Sequence, residues 1–137
     1  MSNARIELLL LSGRVLLGLI FVMSGVRKLM GLDAFAASLA DRGVPISGFM
    51  SILGAVVETV GGAAVVIGLQ TRWAAALIIL FIIVATAISH RFWEFSGAAR
   101  QMQQTQFMKN VSMLGGFLLL IACGGGRFSL DGLYGKK

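Results

Sequence analysis

Cysteine, histidine and proline each occur once in this chain, and only six of its 137 residues are acidic. A lone Cys123 excludes an internal disulfide and any two-thiol relay within one chain. With a single histidine, His90, no metal cage of ordinary composition can be built and no Ser-His-Asp set assembles convincingly. Flavin motifs and iron-sulfur ligand sets are also missing, so no cofactor is held by a recognisable motif. Haem between His90 and a methionine is a formal option, but seven methionines in so apolar a chain read more simply as packing.

Charge is scarce as well, at 13% of residues, against 57% hydrophobic content. A mean hydropathy of +0.86 is too high for a soluble domain of this size, and the natural solvent is lipid. The formal charge of +6 does not indicate nucleic acid. The twelve Lys and Arg stand in ones and twos at the ends of apolar runs, not in a stripe with interleaved aromatics.

Apolar runs bounded by charges and turn residues predict an all-α membrane protein of four crossings, at about residues 6–28, 47–69, 72–91 and 107–123. Four crossings use nearly the whole length and make a single domain. Between the first two, residues 33–42 place Phe35, Ala36, Leu39 and Ala40 at helical spacing, which predicts a short amphipathic helix at the interface. Asp33 is its candidate N-cap, and Gly43 with Pro45 supplies the stop. The turn Gln70-Thr71-Arg72 makes the second and third crossings antiparallel neighbours. Residues 92–106, polar and rich in Gln, read as a flexible connection anchored by Trp93 and Phe95. The triplet Gly124, Gly125 and Gly126 lacks the strand and the Lys-Ser/Thr of a phosphate loop and reads as a helix stop.

The N-terminal leucine run is interrupted by Arg14, which favours a retained helix over a cleaved signal. With Arg14 and Lys109 set aside as intramembrane, the positive charges divide five and five between the two faces: Arg5, Arg72, Arg127, Lys136 and Lys137 against Arg27, Lys28, Arg42, Arg91 and Arg100. Orientation is therefore tied, with a lean towards cytoplasmic termini from the short N-terminal segment.

Charges inside the spans are costly and need partners. Measured from the face bearing the termini, Arg14 lies about 12 Å deep, Glu58 about 18 Å and Lys109 about 22 Å at 1.5 Å per residue. The acid falls between the two bases, so the three are expected to form one buried cluster with a surplus positive charge, suited to an anion or a carbonyl oxygen. Asn110 adjoins Lys109, and Ser24, Ser112 and His90 are further polar candidates. Gly54 and Gly62 flank Glu58 at four-residue steps, Gly18 follows Arg14 at the same step, and Gly116 shares a face with Lys109, so each charged face is notched for close helix packing. An ion-pair lock that fixes helix order and a ligand site are both consistent with such a cluster.

The segments Arg14-Val-Leu-Leu-Gly18, Ser24-Gly25-Val-Arg-Lys28-Leu, Glu58 with Gly61-Gly62, Gly68-Leu-Gln-Thr-Arg72, His90-Arg-Phe-Trp93, Gln106-Phe-Met-Lys109-Asn110 and Gly126-Arg-Phe-Ser129-Leu-Asp131 resemble, in order and spacing, the DoxX family of small bacterial membrane proteins. The resemblance implies a four-helix bundle in the bacterial inner membrane, with some relatives linked to quinone-dependent or other membrane oxidoreductase systems. It assigns no catalytic residue.

Three functions compete. The first is an accessory membrane subunit of an oxidoreductase system, holding a quinone-like ligand or docking a redox partner, rather than a self-sufficient enzyme. A second is a small proton-coupled carrier or permease, which with four crossings calls for a homodimer, and a third is a non-catalytic scaffold.

Overall fold

The computed structural model describes residues 3–135, whose regular secondary structure is entirely helical. Four helices are long and apolar enough to cross a membrane: α1 (Asn3–Met30), α3 (Ser47–Ile67), α4 (Thr71–Ser89) and α5 (Gly97–Cys123). A short α2 (Leu32–Ala40) links the first two, a 3-10 turn at Phe92–Glu94 follows α4, and α6 (Leu130–Tyr134) follows α5.

Side chains dictate how the helices associate. On α1, Arg14, Gly18, Phe21 and Gly25 are buried, alternating steps of four and three that draw one stripe along the helix. The buried Ser51, Ala55, Glu58, Gly62 and Val65 draw the same stripe on α3. The two stripes meet antiparallel and almost bare. A Cβ on Gly18 would stand 2.8 Å from the Gly62 carbonyl oxygen, and one on Gly25 would stand 2.7 Å from the Thr59 amide nitrogen. Backbone thus touches backbone, the contact that small residues permit where no hydrophobic effect drives helices together. Gly116 plays a lesser part, receiving Leu17, and Gly54 is not a backbone notch: it faces the rings of Phe35 and Phe81 at ordinary contact distance.

From α3 the circuit continues to α4 and then α5, whereas α5 meets α1 along only a thin seam. Phe21, Val65, Ala75, Ile78, Ile82 and Phe117 fill the centre, with Phe21 and Phe117 edge to face at 5.5 Å. Leu8, Leu9, Leu16, Leu80, Leu118 and Leu119 point outward, as a bilayer allows.

Two boundaries differ from those the sequence predicts. The first is at residues 97–106, which form the opening three turns of α5 rather than a flexible connection. Ala98, Ala99, Gln101, Met102, Gln103 and Gln104 are good helix formers, and polarity alone does not break a helix that leaves the hydrocarbon. The second is at α2, where Gly31 rather than Asp33 occupies the N-cap position, and Asp33 lies in the first turn, where its charge faces the positive end of the helix.

Candidate functional site

The three charges expected to meet are separated, and two distinct polar knots stand towards opposite ends of the bundle, one from the middle of α1 and one from its last turn. At one end Arg14, 2% exposed, donates from Nη1 to the Gly125 carbonyl at 3.0 Å and from Nη2 to the Phe128 carbonyl at 2.7 Å. Its Nε is buried without a partner. These carbonyls belong to the loop that leaves α5, where Gly124 and Gly126 adopt φ of +73° and +74° and turn the chain back over the bundle. Ser129 caps α6 by accepting from the Gly132 amide, and the Asp131 amide donates to the Gly68 carbonyl at 2.9 Å. The Asp131 carboxylate in turn accepts from the Gln70 and Thr71 amides, at 2.7 Å each, and so occupies the N-terminus of α4. Burial pushes the Asp131 carboxyl up, but the bonds from Thr71 and Gln70 and the nearby Arg14 charge outweigh it and hold the group below the ordinary carboxylate range.

At the other end Glu58, 4% exposed, is paired with Lys28. Lys28 Nζ donates to Oε2 at 2.6 Å and Ser24 Oγ to Oε1 at 3.2 Å, one donor for each carboxylate oxygen. Residues 24 and 28 are one turn apart, and a helical side chain leans towards the N-terminus of its helix, so Lys28 reaches back into the bundle from the last turn of α1. About 21 Å of helix separates Arg14 from Lys28, which removes the expected Arg14 contact with Glu58.

Lys109 joins neither knot. It is exposed and makes no ion pair among the described residues. The inward position on α5 belongs to its neighbour Asn110, which donates to Thr86 Oγ1 at 2.6 Å; a step of one residue turns a side chain by about 100°, so Lys109 faces away. Ser112 turns back to its own helix, bonding the Met108 carbonyl. His90 pairs through Nδ1 with Gln103 Oε1 at 2.8 Å, tying the end of α4 to the first turns of α5.

Beside the Arg14 knot a cleft of about 380 Å³ is lined by Gln70, Arg72, Gly125 and Asp131, and further cavities adjoin Lys28. A polar chamber of about 210 Å³ is lined by Ser24, Lys28, Glu58, His90 and Asn110. Next to it lies an apolar pocket of about 380 Å³ walled by α2, α3 and α4, including Phe35, Leu39, Val57, Phe81 and Ile88. Lys28 and Phe81 line both spaces, and the Lys28 ammonium sits 4.8 Å from the Phe35 ring centre and 5.6 Å from that of Phe81. On the far side of the chamber an open groove of about 930 Å³ separates α1 from α5. Among the described residues, no three His, Cys, Asp or Glu side chains gather to hold a metal ion.

Lys28 and Asp131 are the residues that sequence reasoning missed. The α1 stripe of 14, 18, 21 and 25 has 28 as its next member, and that continuation would have pointed to Lys28. For Asp131 the sequence carries no comparable signal, because its partners are backbone amides 61 and 60 residues away.

Four apolar helices closed on glycine, with an ion pair between the first and the second of them, define a multi-pass integral membrane protein. The DoxX family model matches residues 9–91, from the second turn of α1 to just past the end of α4, and the chain belongs to the DoxX family. It is 37% identical over 123 residues to the inner membrane protein YphA of Escherichia coli, covering 90% of this chain and 88% of that one. Similarity to the inner membrane protein YqjF of the same organism is 34% identity over 127 residues, 93% and 92% of the two chains. The membrane protein Rv3486 of Mycobacterium tuberculosis is 32% identical across 90% of this chain and 80% of its own. These relatives and the four spans place the chain in the inner membrane. No solved structure matches it.

Proposed function

We propose that the chain is a membrane subunit that holds a quinone-like ligand, its ring in the apolar pocket between α2, α3 and α4 and a carbonyl oxygen on Lys28. One observation carries this reading: the same ammonium group closes the ion pair with Glu58 and stands at the wall of an otherwise apolar pocket. An ammonium has three N–H donors, and Glu58 takes one. A second can meet a ligand oxygen and stabilise negative charge developing there. Glu58 keeps the ammonium in place, and Phe35 and Phe81 offer aromatic faces to a flat ring. The volume suits a ring with the beginning of an aliphatic tail. Docking of an oxidoreductase partner remains compatible with this role, since the chain carries no motif for a redox group of its own.

Titration of the purified protein in lipid nanodiscs with decylubiquinone, read by equilibrium dialysis, tests the proposal. Saturable binding is expected, weakened at least about tenfold in Lys28→Met, abolished in Gly54→Leu, which fills the pocket, and unchanged in Arg127→Gln. Failure to bind, or equal binding by Lys28→Met and Gly54→Leu, overturns it. Proton-coupled solute flux lost in Glu58→Gln, with no quinone bound, would favour the carrier instead.

A further inference from the structure

The groove between α1 and α5 is unlike the pocket on the other side of the bundle. Arg27 and Lys109 line it, together with the amide and hydroxyl side chains of Gln101, Gln104, Thr105 and Ser24, and no acidic residue takes part. Both cations are exposed and neither belongs to an ion pair among the described residues. A second cleft of about 330 Å³, lined by Leu16, Leu19, Ile20, Met23, Ser24 and Arg27, runs on from it along the outer face of α1. Ile20, Ser24 and Arg27 are common to both, so a cationic, donor-rich space opens directly onto an aliphatic track.

The level in the membrane is fixed by aromatics. Phe107, two residues before Lys109, packs edge-on against Phe92 at 5.3 Å and Trp93 at 6.4 Å, and Trp93 is exposed, the arrangement of an interfacial belt. Arg27 lies in the last turn of α1. Both cations therefore stand near headgroup depth, while Leu16, Leu19 and Met23 descend towards the hydrocarbon. We propose that this groove binds an anionic phospholipid, its phosphodiester between Arg27 and Lys109 and one acyl chain along α1. The aliphatic track selects a lipid over a soluble anion, and the pair of cations selects an anionic headgroup over a zwitterionic one. The sparse packing of α5 on α1 leaves the space for it.

The test uses the full chain in nanodiscs of phosphatidylcholine with graded phosphatidylglycerol, reading thermal stability and the lipids retained on transfer to detergent by native mass spectrometry. Phosphatidylglycerol is expected to be retained over phosphatidylcholine. Arg27→Gln and Lys109→Gln should each lower that preference about fivefold, and the double variant should erase it. Arg42→Gln, whose side chain bonds Ser38 on α2, should leave it intact. A preference that survives the double variant, or that falls equally in Arg42→Gln, overturns the proposal. If inorganic phosphate displaces the lipid and stabilises the protein equally in pure phosphatidylcholine, the site takes soluble anions and the lipid assignment is wrong. Neither outcome depends on quinone binding at Lys28.

Discussion

Arg14 and Lys28 ride the same stripe of α1, yet their surroundings oppose one another. Arg14 is wrapped in backbone: two carbonyls of a returning loop take its guanidinium, and the side chain is closed off from both solvent and lipid. Lys28 is held by a side-chain carboxylate, is 28% exposed, and borders a polar chamber and an apolar pocket. A buried cation held through both terminal nitrogens by carbonyls of its own chain is a fastening. Where the partner is another side chain and open space adjoins, donors are left for a ligand. Charge buried in a membrane therefore divides by what surrounds it, and the proposed ligand site falls at the Lys28 end.

The sharpest way to break the comparison is at the fastening. Arg14→Met leaves the Gly125 and Phe128 carbonyls without donors and should cost about 3 kcal/mol, two charge-assisted hydrogen bonds. Thermal unfolding in detergent measures the loss. Any ligand affinity that survives in the folded fraction should match the parent, whereas Lys28→Met should do the reverse, sparing most of the stability and losing the ligand.

Between the two ends lies the glycine contact, and a methyl group there should disturb both. Gly25→Ala drives a Cβ into the Thr59 amide and the Ala55 carbonyl oxygen, 3.0 Å away, and should destabilise by about 2 kcal/mol. Gly115→Ala meets nothing within 4 Å and should be neutral or slightly stabilising. Equal effects from the two, measured by the same unfolding assay, would deny that the α1–α3 crossing depends on bare backbone.

A smaller effect, of about 1 kcal/mol, is expected from Asp131→Ala, which uncaps α4. Because the folded carboxyl is held below its ordinary range, its contribution is complete above that range and disappears as the pH falls through the depressed folded value. The gap in melting temperature between the parent and Asp131→Ala should therefore be widest near neutrality and close in acid. A constant gap would mean that the carboxylate charge is irrelevant to the cap.

Much of the architecture was legible because hydropathy reports depth. The four runs, the short helix before Pro45 and the stop at Gly124 all follow from where apolar sequence begins and ends. Depth also made Arg14, Glu58 and Lys109 look like neighbours, and here the reading failed, since depth says nothing of direction around a helix. Lys109 is one residue out of phase with Asn110 and so turns away from the bundle. Lys28 reads in the sequence as an end charge, yet it continues the glycine stripe, and its length brings it back to the carboxylate. The loop that claims Arg14 could not be anticipated, because its acceptors are main-chain oxygens that any sequence supplies.

One stripe also makes α1 indivisible. A residue inserted between Gly18 and Gly25 would swing everything beyond it by about 100°. Lys28 would leave its carboxylate while Arg14 stayed fastened, and the helix would have to choose which end to keep. Seven inserted residues would restore the phase but lift Lys28 by about 10 Å. The two ends are thus geared together like teeth cut on one shaft, and neither can be re-timed alone.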